Sequence, residues 1–293
     1  MATYKIFTVD AFAKAAFGGN QAAVVPVPAN SLMSDQAMQQ VAAEMNLAET
    51  AFFTPTDPSE PFETASRFGL RWFTPTVEVR LCGHATLASA HVLFNELGNT
   101  NETLCFETLS GELVVKRGKD VGTQIEMTFP TDIPEPVNHH TEDVQMLARA
   151  FTGGWDDAQA EVAVSPFLRY MVIHNPGCDG AALAAHSPKV TQDVMDAGKR
   201  LDITAVISTW SEPGDANDYK CRVFAPWAGI GEDPVTGSAQ TVLAPFWNQR
   251  LGKSVFASKQ CSPRGGELGA AIVEDKVVVS GQAVVVIRGS ITF

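Results

Sequence analysis

Two stretches of the chain share one arrangement, in which a strand, a glycine turn and a helix of small residues follow one another. One stretch surrounds Gly83 and the other surrounds Gly237; each follows a Phe-x-Pro tripeptide and precedes a Gly-Glu-Leu tripeptide. The separation is 28 residues from Gly83 to Gly111 and 29 residues from Gly237 to Gly266. An internal repeat restricts the possible folds more than any single motif does. We therefore predict two similar domains; the alternative is a chance recurrence of common glycine turns.

A proline-rich linker divides the chain near its middle. Residues 130–136 contain three prolines and no apolar periodicity, which is typical of a connection between domains. A chain of 293 residues is long enough for two domains, each with its own core. We predict an N-terminal domain of residues 1–130 and a C-terminal domain of residues 131–293.

The two predicted helices after the glycine turns lack a broad polar face. Residues 85–97 and 238–251 consist mostly of small and aliphatic residues, which predicts helices buried on all sides. Strand-like segments surround both, so we expect an α+β fold in which each domain is a curved or barrel-like sheet around a central helix. Pro245 lies in the middle of the second helix and should kink or divide it.

Charge and hydropathy exclude several classes of function. The net charge is −12, and Lys and Arg form no cluster, which argues against nucleic acid or an anionic membrane surface as the main partner. The sequence shows neither a membrane-spanning run nor a signal segment, so we expect a soluble, cytoplasmic protein. Widely spaced cysteines, odd in number, suggest neither a zinc knuckle nor a disulfide framework; they are Cys82, Cys105, Cys178, Cys221 and Cys261.

Polar residues stand at the start of both predicted central helices. His84 and Asp233 occupy corresponding places in the repeat, where unpaired backbone N–H groups and the helix dipole attract an anion. Two such helix starts facing a cleft would bind a carboxylate. The ordinary alternatives are that Asp233 or Thr236 caps the second helix and that His84 satisfies backbone groups of the first.

Glu49 and the glycine turn before Asn20 are further candidates. Glu49 begins an otherwise uncharged strand that contains Phe52 and Phe53. The carboxylate either lies on a solvated face or is partly desolvated with a raised pKa, as proton transfer requires. The turn at Gly19 either makes a plain hairpin or lets the backbone approach a ligand.

Five motifs resemble those of a known family, and two stretches resemble one of its subgroups. The motifs resemble those of the PhzF-like (phenazine biosynthesis-like) family, relatives of diaminopimelate epimerase; they are residues 19–21, 46–50, 73–75, 82–85 and 231–239. Residues 260–268 and the sequence around Cys82 also resemble the animal-type subgroup, that of the MAWD-binding protein.

This resemblance implies a duplicated diaminopimelate epimerase-like fold, a site between the domains, a homodimer, and a final strand near residues 284–293 that packs on the first domain. It places Glu49, His84 and Asp233 on the catalytic acid–base residues. It also assigns contacts with a small carboxylate substrate to Asn20, Gly83, Gly237 and Ser238. Neither a metal nor an organic cofactor is implied.

One departure separates the chain from the cysteine epimerases of the wider superfamily, which need a thiol in each half. Cys82 resembles the first thiol, whereas the second half has Asp233-Pro234. We therefore predict a cofactor-independent isomerase in which Glu49 transfers a proton by general acid–base catalysis. The alternatives are a non-catalytic binding or adaptor protein of the MAWD-binding type, and a racemase or dehydratase that uses Cys82 alone.

Overall fold

The computed structural model describes residues 1–31, 33–118, 124–153, 159–176 and 179–293. It contains two compact units. The first comprises residues 1–128 and 280–293, and the second comprises residues 129–279. The predicted domains, 1–130 and 131–293, stay a prediction, because compactness does not test independent folding.

The described elements alternate between long runs of strands and short groups of helices. The strands are β1 (Thr3–Ala11), β2 (Asn20–Pro26), β3 (Glu49–Pro55), β4 (Arg67–Phe73), β5 (Glu78–Val79), β6 (Thr103–Thr108), β7 (Gly111–Arg117), β8 (Ile125–Pro130), β9 (Glu135–Pro136), β10 (Glu161–Val164), β11 (Tyr170–His174), β12 (Ala205–Trp210), β13 (Tyr219–Ala225), β14 (Ile230–Asp233), β15 (Val255–Gln260), β16 (Gly266–Val273), β17 (Lys276–Gly281) and β18 (Ala283–Thr292). The helices are α1 (Asp35–Met45), α2 (Gly83–His91), α3 (Glu142–Thr152), α4 (Gly180–Ala185), α5 (Gln192–Arg200) and α6 (Ala239–Leu251). A π-helical turn, Val92–Glu96, follows α2, and a 3-10 turn, Pro226–Ala228, precedes β14.

The strand order of the first unit recurs in the second. In the first, β1 pairs antiparallel with β2, β2 parallel with β3, β3 antiparallel with β4, and β4 parallel with β6, which pairs antiparallel with β7. In the second, the same order and the same directions recur in β10, β11, β12, β13, β15 and β16. Short β5 and β14 pair antiparallel with β4 and β13. The predicted internal repeat is therefore confirmed in the topology.

The first unit takes its outer strand from the far end of the sequence. β18 pairs antiparallel with β1, from Thr3 opposite Thr292 to Ala11 opposite Ala283, with a register shift between Thr8 and Val9. In the second unit β9 pairs antiparallel with β10 and holds the corresponding place.

The helix that follows each glycine turn is buried, as the small-residue composition predicts. In α2 every residue from His84 to His91 is buried, and in α6 every residue from Ala239 to Trp247 is buried. Amphipathic helices supply further core: Val41 of α1 packs with Val25 and Phe52. In the second unit α3 and α5 pack together on β10–β12.

Helix α6 runs from Ala239 to Leu251 without a division at Pro245, so of the two predicted outcomes, a kink or a division, the division does not occur. Proline has no N–H, so the carbonyl of Thr241, four residues earlier, loses its helical donor. The backbone N–H of Asp132 donates to that carbonyl at 3.1 Å instead. A donor from another segment thus satisfies the group that would otherwise favour a break.

The ends of the elements reflect both local and distant contacts. Ser34 caps α1 through its side chain, and Asn46 ends this helix in the left-handed conformation. Strand β11 begins at Tyr170, and the N–H groups of Phe167 and Leu168 just before it donate to the Asp132 carboxylate. None of the helices within the described residues combines the length and apolar character that crossing a membrane requires.

Candidate active site

Three candidate functional side chains of the first unit lie close together where β3 and α2 begin. Glu49 is the first residue of β3 and lies opposite Ala22 of the parallel strand β2. His84 is the second residue of α2, and Cys82 is its N-cap residue, whose side chain makes no capping hydrogen bond. The strand fixes the carboxylate, and the helix start fixes the imidazole and the thiol beside it.

The imidazole of His84 lies between the other two groups. Its Nε2 is 3.1 Å from Glu49 Oε2, and its Nδ1 is 3.4 Å from Cys82 Sγ. The side chains of His84 and Glu49 are 9% and 14% exposed. Nε2 and Oε2 therefore form a close, largely buried pair.

The pKa shifts follow from this packing. Burial alone would raise the pKa of Glu49, but hydrogen bonding and charge from His84, together with Cys82, outweigh burial and lower it. Burial acts to lower the pKa of His84, yet Cys82 and Glu49 raise it well above its ordinary value. Burial, and then the Glu49 charge, raise the pKa of the Cys82 thiol. Neither alternative describes Glu49 in full: the carboxylate is largely buried, but its pKa is lowered because the imidazole partner outweighs desolvation.

The predicted contacts around Gly83 and Asn20 have different structural settings. A Cβ added at Gly83 would meet no atom within 4 Å, so the space above the start of α2 is open. Asn20 is the buried first residue of β2 and lies opposite Ala11. At Gly19, φ is +65° and an added Cβ would lie 2.1 Å from the Ala11 carbonyl oxygen. Packing within the turn therefore accounts for Gly19 without a ligand.

The predicted residues of the second unit lie around the start of α6. Asp233 is the last residue of β14, and its Oδ2 accepts a short hydrogen bond from Thr236 Oγ1. The N-cap residue of α6 is Ser238, so neither capping alternative describes this helix. Gly237 accepts a backbone hydrogen bond from Gln240 in the first turn.

Sequence reasoning missed the side chain that fixes the Asp233 turn. Gln260, fully buried, donates through Nε2 to the Asp233 carbonyl at 2.7 Å and accepts at Oε1 from the Thr236 N–H at 2.9 Å. Ser262 Oγ donates to the Pro234 carbonyl at 2.6 Å. Residues 260–268 resemble a subgroup of the family, but nothing in the sequence indicates that they contact this turn.

Tyr170 is a second missed residue. Its hydroxyl lies 3.1 Å from Ser238 Oγ, and burial raises its pKa, so the phenol stays neutral and can donate a hydrogen bond. Tyr170 begins β11, the strand that corresponds to β2 in the repeat, and Asn20 begins β2. The repeat was thus a signal that could have identified it.

The structure brings Glu49 and His84 together, with Cys82, in the first unit. Asp233, Gly237 and Ser238 lie near one another in sequence within the second unit, where Ser238 meets Tyr170. Of the five cysteines, Cys178 lies outside the described residues, and the other four are free thiols.

Sequence comparison places these residues in a known family. The pattern of the family described as phenazine biosynthesis-like protein matches residues 9–289. The chain belongs to this family. A phenazine biosynthesis-like domain-containing protein of Mus musculus is 42% identical to this family member over 98% of both chains. A Pseudomonas aeruginosa protein described as an uncharacterized isomerase is 39% identical over 98% of both chains.

Comparison with solved structures identifies the same family. A phenazine biosynthesis protein of the PhzF family from Enterococcus faecalis superimposes on this chain with a TM-score of 0.83, 34% identity and full coverage of both chains. The predicted family and the predicted diaminopimelate epimerase-like fold class are confirmed.

Proposed function

We propose that this protein is a cofactor-independent isomerase that moves a proton within a small carboxylate-bearing substrate. The observation that carries the proposal is the buried contact of 3.1 Å between Glu49 and His84. Family membership and the relative described as an isomerase support the reaction class. Acid–base chemistry needs such a pair of groups that can each hold a proton.

Glu49 acts as the base in this proposal. Its carboxylate takes a proton from an activated carbon and returns it to another position, while His84 donates to the substrate or relays the proton. Both groups are largely shielded from water, which strengthens their electrostatic effect on a developing charge. Positioned proton transfer contributes about 10²–10⁴-fold for each group.

The substrate carboxylate is held, in this proposal, at the helix starts. Gly83 leaves open space beside the N–H groups of α2, and α6 begins beside Gly237 and Ser238. Asp233 and Asn20 complete the proposed site. The assembly of these groups from both units, a homodimeric state and a cytoplasmic location are parts of the proposal.

A second candidate follows from the thiol. Cys82 Sγ lies 3.4 Å from His84 Nδ1, a distance at which thiol and imidazole can exchange a proton. Cys82 itself would then be the proton carrier of a racemase or dehydratase. This candidate predicts that Cys82→Ser abolishes turnover, whereas the first candidate predicts that it does not.

The test is proton NMR in D₂O of purified protein with a panel of small carboxylates and amino acids. Wild type should exchange substrate protons for deuterons, and Glu49→Gln should slow this exchange by at least about 10²-fold. Glu44→Gln, the same change at an exposed position of α1, is the matched control and should leave the rate unchanged. Equal rates for Glu49→Gln and wild type would refute the assignment. Panel members that bind without exchange would favour a binding or adaptor protein.

A further inference from the structure

The second unit has a polar pair at the place where the first unit has the contact between Glu49 and His84. Ser238 corresponds to His84 in the repeat, because each directly follows the glycine of its turn. Glu49 belongs to the first paired position of β2 and β3, and Tyr170 belongs to the first paired position of β11 and β12. The Tyr170 hydroxyl lies 3.1 Å from Ser238 Oγ. Each unit thus brings one polar side chain from this strand pair to the residue after the glycine.

The hydroxyls of Tyr170 and Ser238 hold one proton more than their contact uses. Two hydroxyls supply two protons, and the hydrogen bond between them takes one. Ser238 is the N-cap residue of α6, yet its side chain makes no capping hydrogen bond. Among the described residues each of the two hydroxyls has the other as its hydrogen-bond partner. Both side chains are only half-buried, so the remaining O–H can donate to water or to a ligand.

The chemistry of the two hydroxyls determines which O–H remains. A phenol is a stronger donor than an aliphatic hydroxyl, and the aliphatic oxygen is the better acceptor, so Tyr170 donates to Ser238 Oγ. A hydroxyl that accepts a hydrogen bond also gives a stronger one to its own acceptor. The Ser238 O–H is therefore the available donor, and Tyr170 orients it.

The Tyr170 phenol keeps its proton in this setting. Burial raises the pKa of Tyr170, and the charges of Asp233 and Asp132 raise it further, against the effect of the hydrogen bond with Ser238. A phenolate would accept from Ser238 and turn the serine proton inward, whereas the neutral phenol leaves that proton available. The pair therefore remains a donor, and a hydrogen bond from a donor to a charged acceptor is the stronger kind.

We propose that Tyr170 is a positioning residue for the substrate carboxylate, because its hydroxyl holds Ser238 Oγ so that the Ser238 O–H donates to that carboxylate. The inference rests on the proposed function only for the binding of a carboxylate beside Ser238, and it does not depend on proton transfer by Glu49. Tyr170 acts through Ser238 rather than on the reacting atoms. Loss of the Tyr170 hydroxyl therefore weakens carboxylate binding and leaves the chemical step unchanged.

The binding test is an NMR titration of the full-length protein with acetate, benzoate and succinate, each beside its neutral amide. Wild type should bind at least one of these carboxylates more tightly than the amide. Tyr170→Phe removes the hydroxyl and keeps the ring, and it should weaken binding of this carboxylate by about 2–10-fold, with a smaller effect on the amide.

Tyr4→Phe is the matched control for the binding test. The Tyr4 hydroxyl lies 2.7 Å from Ser31 Oγ, so the same change removes the same kind of contact elsewhere and should leave binding as in wild type. Equal weakening of carboxylate and amide in Tyr170→Phe would overturn the inference. So would a wild-type protein that prefers none of the three carboxylates to its amide.

A double-mutant cycle tests whether Tyr170 acts through Ser238. Ser238→Ala should weaken carboxylate binding by about 10–100-fold, as expected for a hydrogen bond to a charged acceptor. Adding Tyr170→Phe to this variant should have no further effect, because the hydroxyl that Tyr170 orients is gone. Additive losses would contradict the positioning role. Urea unfolding of the same variants distinguishes a loss of stability from a loss of binding.

The deuterium exchange assay separates this inference from the proposed function. Tyr170→Phe should raise KM by the same factor as it weakens binding and leave kcat unchanged, because it removes binding that ground state and transition state share. Exchange that depends on Glu49, with an unchanged KM in Tyr170→Phe, would refute the inference and leave the isomerase standing. Carboxylate binding that depends on Tyr170, in a protein without exchange, would refute the isomerase alone.

Discussion

The side-chain amide of Gln260 donates a hydrogen bond of 2.7 Å to the backbone carbonyl of Asp233, 27 residues earlier in the chain. The same amide accepts from the Thr236 N–H, and Thr236 in turn donates to the Asp233 carboxylate. One buried side chain therefore sets both the backbone and, through Thr236, the carboxylate of a proposed catalytic residue.

Replacing Gln260 with leucine should impair both stability and turnover. The change keeps most of the volume but leaves the Thr236 N–H and the Asp233 carbonyl without these partners, at about 1–3 kcal/mol for each buried group. Displacement of Asp233 should lower kcat by up to about 10²-fold. Urea unfolding and the deuterium exchange assay measure the two effects. Gln192→Leu, at an exposed position in the same unit, should change neither by a comparable amount.

His91 should make the protein less stable in mild acid. Burial lowers the pKa of His91 to about 4 from 6.5, so below pH 6.5 the unfolded chain binds a proton that the folded chain excludes. Stability is thus lost as pH falls from 6.5 towards 4, by about 2 kcal/mol at pH 5. The measurement is the unfolding free energy at pH 7 and pH 5 for wild type and for His91→Gln.

The variant isolates the contribution of one imidazole, because other titrating groups are common to both proteins. Gln cannot titrate, and its amide can still accept from Asn95, which lies 3.1 Å from His91 Nδ1. The loss between pH 7 and pH 5 should be smaller in His91→Gln by about 2 kcal/mol. Identical losses in the two proteins would show that His91 titrates normally in the folded state.

Gly19→Ala should destabilise the first unit strongly. The added methyl group would lie 2.1 Å from the Ala11 carbonyl oxygen in a residue with φ of +65°, and such backbone strain alone costs about 1–3 kcal/mol. Gly231→Ala is the matched control, because its added Cβ would meet nothing within 4 Å. Thermal unfolding should separate the two variants; equal melting temperatures would contradict the predicted clash.

Asp132→Ala should loosen the loop before β11. The carboxylate accepts from the Phe167 and Leu168 N–H groups at 3.2 and 2.8 Å, and hydrogen bonds to a charged acceptor contribute about 1.5–3 kcal/mol. Asp132→Asn keeps one carbonyl acceptor and should lose less. Hydrogen exchange at these two amides reports the effect directly, and unchanged protection in Asp132→Ala would argue against it.

Local signals in the sequence predicted much of the architecture. Glycine turns and small-residue helices revealed the repeat, and the caps of α1 were readable at Ser34 and Asn46, because each depends on residues close in sequence. The lowered pKa of Glu49 was missed because it depends on His84, which folding brings from another element. The helix continues through Pro245 for the same reason, because the N–H that replaces the missing donor comes from Asp132, which is distant in sequence. Gln260 likewise acts on Asp233 only after folding.

The pairing of β18 with β1 has a consequence for biosynthesis. Residues 3–11 leave the ribosome early, but their partner, residues 283–292, is synthesised after the whole of the second unit. The second unit, contiguous in sequence, is therefore synthesised in full before the first unit has its last strand, which departs from the usual N-to-C order in which domains are completed during translation. Until then one edge of β1 is an unpaired template. The nascent first unit is the stage at which a holding chaperone would matter most.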